Sequence, residues 1–312
     1  MRNKEKIMTN IWVVLTGALV CCALWGSAFP CIKLGYAMMN ISSSDTASQI
    51  LYAGYRFTLA GILAILIGSV SQRTLLLPKR SAIGKIGTLA LFQTIIQYLF
   101  FYIGLAHTTG VKASIIEGVN VFVAILVAGC IFHQETVTRR KMLGCAIGFA
   151  GVVLVNLSGH GIDLNFTLTG DGFILLSTVA YAFSSVIMKR YSKEENPVML
   201  SGYQFVVGGA VMILVGLAMG GEVGGFTLAS AAMLIYLAMI SAVAYSLWGI
   251  LLKYNPVSKV AVFGFMNPVI GVILSAIVLN EKDTLGIMSV VALILVCIGI
   301  YVVNRGVKDG AE

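Results

Sequence analysis

The chain has 312 residues, of which 58% are hydrophobic and only 11% are charged. A soluble domain of this size cannot hide so much apolar surface, so the composition excludes one and points to an all-α integral membrane protein. The net charge of +8 would suit nucleic acid, but the distribution of the charges along the chain argues against it.

Apolar windows of about twenty residues predict ten transmembrane helices, at Ile11–Ala37, Ile50–Val70, Ile83–His107, Val111–Phe132, Arg140–Leu157, Gly172–Tyr191, Val198–Gly220, Ser230–Lys253, Pro256–Leu279 and Leu285–Asn304. The first of them, with its basic start and the small residues Ser27 and Ala28, could pass for a signal peptide. It has a counterpart in the second half, where Ala180-Tyr181-Ala182 answers Leu24-Trp25-Gly26, so an uncleaved span is expected.

Of the 21 Lys and Arg, only Lys33, Lys112 and Lys282 fall on one side of the alternating loops, and Arg56 lies inside a span. The rest, from Arg2, Lys4 and Lys6 to Arg305 and Lys308, share the other side. The positive-inside rule therefore predicts a multi-pass protein of the cell membrane with both termini cytoplasmic. Contact with anionic lipid headgroups is the secondary use of the same charges.

The stretch AGYRFTLAGILAILIG at residues 53–68 returns as SGYQFVVGGAVMILVG at 201–216, with Gly54, Tyr55 and Phe57 matched by Gly202, Tyr203 and Phe205. Lys112 and Asn120 recur as Lys259 and Asn267, and Val155-Asn156 recurs as Val303-Asn304. The chain thus divides into an N-terminal five-helix repeat (1–157), an external linker (158–170) and a C-terminal five-helix repeat (171–312). A half with an odd number of spans enters the membrane from opposite sides in its two copies, so the expected architecture is two inverted repeats, the arrangement that alternating access uses.

The stretches ALWGSAFPCIK, GYRFTLAG and FFYIGLAHTTGVKASII, with the HQE and LNE junctions near residues 135 and 281, resemble the EamA family of the drug/metabolite transporter superfamily across essentially the whole chain. The resemblance implies ten helices in two inverted halves and carriage of small metabolites, typically export of amino acids or related solutes. One departure concerns the prolines often found in helices 4 and 9. Asn267-Pro268 fits, whereas the first copy has Asn120-Val121, which questions whether both halves bend alike.

Arg56 is the most informative candidate. An arginine within an apolar span costs roughly 2.5–3.5 kcal/mol on insertion scales and by default faces the protein interior. Its counterpart is Gln204, and that of Glu117 is Gly264, so neither charge is duplicated. Both lie at similar depth, and the expectation is that they line a central cavity and either pair with each other or grip a substrate's carboxylate and amine; the competing reading is a static ion pair that fastens two helices. Glu117 also admits a proton-coupling role, making protons a candidate coupling ion. Trp25, Tyr55, Tyr102 and Tyr181, with Gln204, offer an aromatic surface with polar handles suited to an amphipathic solute; packing is the plainer reading for each. Glu135 and Glu281 read as end-of-span anchors, the six cysteines as small core residues, and Gly144 and Gly148 as helix packing within a monomer, with a homodimer second.

No phosphate loop, HExxH or nucleophile elbow occurs, and the cysteines have no metal spacing. No cofactor, metal or enzymatic activity is expected. The reading is a secondary transporter or facilitator of small metabolites such as amino acids, directed outward, with a multidrug or organic-cation exporter as the alternative and an intramembrane lipid-modifying enzyme as a minor one.

Overall fold

The structure, a computed structural model, describes residues 2–108, 110–157, 166–278 and 287–305. Among them there is no strand. A short helix α1 (Arg2–Thr9) precedes α2 (Ile11–Met38) and α3 (Thr46–Gln72). Then come α4 (Arg80–Leu105), α5 (Gly110–Gly118), α6 (Asn120–Leu126) and α7 (Arg139–Leu157). The second half holds α8 (Leu168–Ser192), α9 (Pro197–Ala218), α10 (Leu228–Tyr254), α11 (Val257–Ala261), α12 (Met266–Val278) and α13 (Ile287–Arg305). Six of these, α2, α3, α4, α8, α9 and α10, are long and apolar enough to cross a membrane.

Local chemistry sets several ends. Asn10 caps α2 by accepting from the Trp12 amide at 2.9 Å, and Asp45 caps α3 by accepting from the Ser48 amide at 3.0 Å. The Ser48 side chain and amide stabilise the Asp45 carboxylate and hold its pKa below the usual range. Asn196 followed by Pro197 starts α9, and Thr227 and Ser230 cap each other at the start of α10. Arg73, in the left-handed region at φ 52°, ends α3.

The helical stretches around Asn120 and Asn267 each break near that asparagine. Val119 separates α5 from α6 in the first half, and a 3-10 turn at Val262–Phe265 precedes Asn267-Pro268 in the second. A proline is thus not needed for the first break, where the Val119 amide bonds back only three residues, to the Ile116 carbonyl at 3.0 Å.

The two halves pack through their repeated segments. A Cβ on Gly54 would lie 3.0 Å from the Gly209 carbonyl, and one on Gly61 would lie 2.5 Å from the Gly202 carbonyl. Gly54 is the counterpart of Gly202 and Gly61 of Gly209, so each glycine of the α3–α9 contact meets the counterpart of the other. The numbering runs in opposite senses along the two helices, which are antiparallel. The pair α7–α13 repeats the pattern: a Cβ on Gly144 would lie 3.0 Å from the Gly299 carbonyl, and one on Gly151 2.7 Å from the Ala292 carbonyl. Two pairs of counterparts even face each other. Phe57 stacks on Phe205 with centroids 5.2 Å apart, and the Tyr98 and Tyr245 hydroxyls are hydrogen-bonded at 2.7 Å.

These close backbones give a first testable consequence. Gly61→Val and Gly209→Val, which add side-chain atoms where a Cβ already meets backbone at 2.5 Å, are each expected to lower stability in detergent by roughly 1–3 kcal/mol. Gly84→Ala and Gly87→Ala, where a Cβ meets nothing within 4 Å, should be neutral or slightly stabilising. Thermal unfolding of the four variants is the check.

Helical structure begins at Leu168, within the stretch expected as the linker; residues 158–165 lie outside the described residues, as do Glu281 and Lys282. Cys21, Cys22 and Cys145 are buried as core residues, but Cys130 and Cys297 are exposed on the outside of the bundle, where a small apolar side chain meets lipid at no cost. Gly144 and Gly148 serve packing within the chain, Gly148 against the Phe265 ring.

Candidate functional site

Arg56 lies on the face of α3 that packs against α10, one residue before the Phe57–Phe205 stack. It is 4% exposed. The guanidinium donates to the Ser241 hydroxyl from Nε at 3.3 Å and from Nη2 at 2.9 Å, and its carbon sits 5.0 Å from the centre of the Phe57 ring. The Tyr36, Tyr52, Tyr98 and Tyr245 hydroxyls all lie within its electrostatic reach. Among the described residues no carboxylate forms an ion pair with it. A buried cation held only by a neutral hydroxyl and aromatic faces retains most of its demand for an anion.

Of the other sequence candidates, Trp25, Tyr102 and Tyr181 belong to the same aromatic core around Phe57, Tyr98 and Tyr245. Trp25 packs edge-on against Tyr245 and Trp248, each at 5.1 Å, and its indole nitrogen has no hydrogen-bond partner. Gln204 is fully buried on α9 and accepts from the Thr94 hydroxyl at 2.6 Å, so the counterpart of Arg56 is held in a local polar bond with its amide nitrogen unpartnered. Tyr55 lies with Tyr36 and Tyr52 in an adjoining cluster.

Glu117 stands apart. It is half-buried on α5, which packs against α7 and α8, and no hydrogen bond or ion pair reaches it among the described residues. Arg56 and Glu117 therefore do not form the ion pair that their similar depth suggested. Ser241 takes that place on Arg56, a partner that the sequence did not signal because nothing distinguishes one serine in an apolar helix.

At the end of the bundle that carries α1, the halves are tied by charged groups. Glu135, 6% exposed in its side chain, accepts from Lys141 Nζ at 2.7 Å, from the Ser258 amide at 2.9 Å, and from the Ser258 hydroxyl. The first bond is within the first half and the other two reach across to the second. Nearby, Asn255 donates to the Met8 carbonyl at 3.0 Å and Lys259 to the Thr9 carbonyl at 2.9 Å, docking α1 onto the turn between α10 and α11. Glu135 is thus more than an anchor at a helix end: it joins the two halves. At this end α6 packs against α11, whereas α5 and α12, the corresponding pair at the opposite end, make no comparable contact among the described residues. Among these residues no cluster of side chains suited to a metal occurs.

The fold and the sequence both have relatives. A solved crystal structure superposes with a TM-score of 0.76 at 15% identity, covering 95% of this chain and 99% of the other, which speaks to the fold. An uncharacterized transporter of Archaeoglobus fulgidus is 27% identical over 94% of this chain and 98% of its own. The uncharacterized transporter YyaM of Bacillus subtilis is 26% identical over 96% and 95%. A probable amino-acid metabolite efflux pump of Salmonella typhimurium is 25% identical over 91% and 92%. The model of the EamA-like transporter family matches residues 11–157 and again 168–305. With both halves matched, this multi-pass chain belongs to the EamA-like transporter family.

Proposed function

We propose that the protein is a secondary carrier that moves small carboxylate-bearing metabolites, amino acids among them, outward across the cytoplasmic membrane by alternating access. The carrying observation is Arg56: a buried guanidinium where the halves meet, caged by aromatic rings, with no carboxylate partner among the described residues. A substrate carboxylate supplies the missing anion through a charge-assisted, forked hydrogen bond, and the tyrosine and tryptophan rings take its apolar part. The likeness to the probable amino-acid metabolite efflux pump supports the substrate class.

Ten spans in two inverted halves, 1–157 and 171–312, are the architecture this reading uses. The antiparallel contacts between counterpart helices support it, since a two-fold axis perpendicular to membrane-crossing helices lies in the membrane plane. The basic residues near α1 favour a cytoplasmic location for that end. The Glu135 seal there, with no contact between α5 and α12 among the described residues to match that of α6 with α11, fits a state closed toward the cytoplasm.

A second reading, export of organic cations, is favoured by one observation: Glu117 has no ion-pair partner among the described residues. Counterflow into proteoliposomes over amino acids, nucleosides and organic cations, with and without a proton gradient, separates the two. The expected result is counterflow of amino acids that Glu117→Gln leaves within about threefold, a change of under 1 kcal/mol. Counterflow confined to cations, and abolished by Glu117→Gln, would establish the second reading instead. Rates indifferent to the gradient would remove proton coupling.

A further inference from the structure

Toward the α1 end, α3 and α10 part. The two helices are joined near their middles by Arg56 and Ser241. Beyond that bond, the facing positions hold small residues, Ala64 and Gly68 on α3 and Ala242 and Ser246 on α10, and the space they leave is an open cleft of about 600 Å³. That volume falls within the roughly 300–1,000 Å³ of small-molecule sites.

The lining has a gradient. Ala64, Ile67, Val243 and Leu247 make its deep wall, at the depth of the apolar spans, and Ser246 presents there a buried hydroxyl with no hydrogen-bond partner. Its mouth carries Glu194, Glu195, Gln72, Asn196 and Lys253. The two carboxylates share Lys85 at 2.6 and 3.0 Å, and Glu194 remains 73% exposed in its side chain; the hydrogen bond from Lys85 holds the Glu194 pKa below the usual carboxylate range, so it stays ionised. Each carboxylate has about four acceptor positions, so one shared ammonium leaves several open. Lys253 reaches the Glu195 carbonyl at 3.5 Å, which brings a positive charge to the same rim.

We propose that this cleft holds one aminophospholipid, with an acyl chain along the deep wall, the primary ammonium of its headgroup on Glu194 and Glu195, and its phosphate toward Lys253. An apolar trough with a rim of both signs at one end matches a chain bearing a zwitterion. A purely anionic headgroup meets two carboxylates. A choline headgroup brings a quaternary nitrogen that cannot donate the hydrogen bonds these oxygens accept. The lipid completes the α3–α10 contact that small residues leave open and lies directly below the Arg56–Ser241 bond.

The test strips the purified full-length protein of lipid in detergent and adds phosphatidylethanolamine, phosphatidylcholine or phosphatidylglycerol with the same chains, reading retained lipid by native mass spectrometry and the Tm. The expected result is one phosphatidylethanolamine retained per chain and a Tm rise of a few degrees that the other two do not match. Ile67→Trp and Val243→Trp, at positions 43% and 37% exposed where a larger ring can enter the cleft, should abolish retention. Ile62→Trp, 44% exposed on the same helix and not part of the lining, should leave it unchanged. Glu195→Gln should keep a lipid but lose the headgroup preference. Equal retention of all three lipids by the unaltered chain, or undiminished retention in both cleft-filling variants, would overturn the proposal. Both readouts are independent of transport, so they stand or fall apart from the carrier reading.

Discussion

A Glu135→Gln chain is expected to lose about 3 kcal/mol of stability, the lower end of the cost of removing one partner from a buried ion pair. The Glu135 carboxylate accepts both from Lys141, 10% exposed in its side chain, and from the backbone and hydroxyl of Ser258. Neutralising it leaves the Lys141 ammonium with the Thr136 carbonyl at 2.8 Å as its remaining partner. The penalty belongs to the stranded charge rather than to the pair, so Glu135→Gln combined with Lys141→Met should recover most of the loss, while Ser258→Ala alone should cost about 1 kcal/mol. Thermal unfolding in detergent measures all three. A double variant as unstable as Glu135→Gln would assign the effect to the contact across the halves instead of to the buried ammonium. If the chain works by the proposed alternating access, the variant should show its largest change in the step that opens the α1 end, because the two bonds from Ser258 are ones that opening would break.

This seal was only half legible in the sequence. Glu135 could be read as a boundary residue, since an acid following an apolar run beside Arg139, Arg140 and Lys141 marks the end of a span. Its partner Ser258 could not, because a contact between residues so distant in the chain leaves no periodic trace. The repeat was different. Glycines matched between two copies indicate close helix packing, and the structure brings Gly54 to Gly209 and Gly61 to Gly202. The same logic could have found the Tyr98–Tyr245 bond, since these two stand in the register that relates Lys112 to Lys259. Arg56 was legible as an inward-facing cation because burial in an apolar span is costly. Its partner was misjudged: depth along a helix says nothing about which neighbouring helix a side chain meets, and α3 presents Arg56 to α10 rather than to α5.

Arg56→Gln places in the first half the residue that the second half carries at Gln204. It should leave the protein folded, because the change removes the desolvation cost of a buried cation while keeping a side chain able to bond Ser241. Counterflow of carboxylate substrates should fall about 30- to 150-fold, corresponding to the loss of roughly 2–3 kcal/mol for a hydrogen bond to a charged group. Arg56→Lys distinguishes charge from shape. A lysine retains the charge but not the planar fork, so if the guanidinium grips a carboxylate through two nitrogens, the lysine variant should recover only part of the activity. Ser241→Ala supplies the third point. It frees the Nε and Nη2 hydrogens from their neutral partner, so substrate affinity should hold or rise while the unliganded protein becomes less stable by about 1–2 kcal/mol. An Arg56→Gln protein that unfolds at the temperature of the parent and transports at its rate would leave the guanidinium no part in transport, and the carboxylate-carrier reading would fall with it.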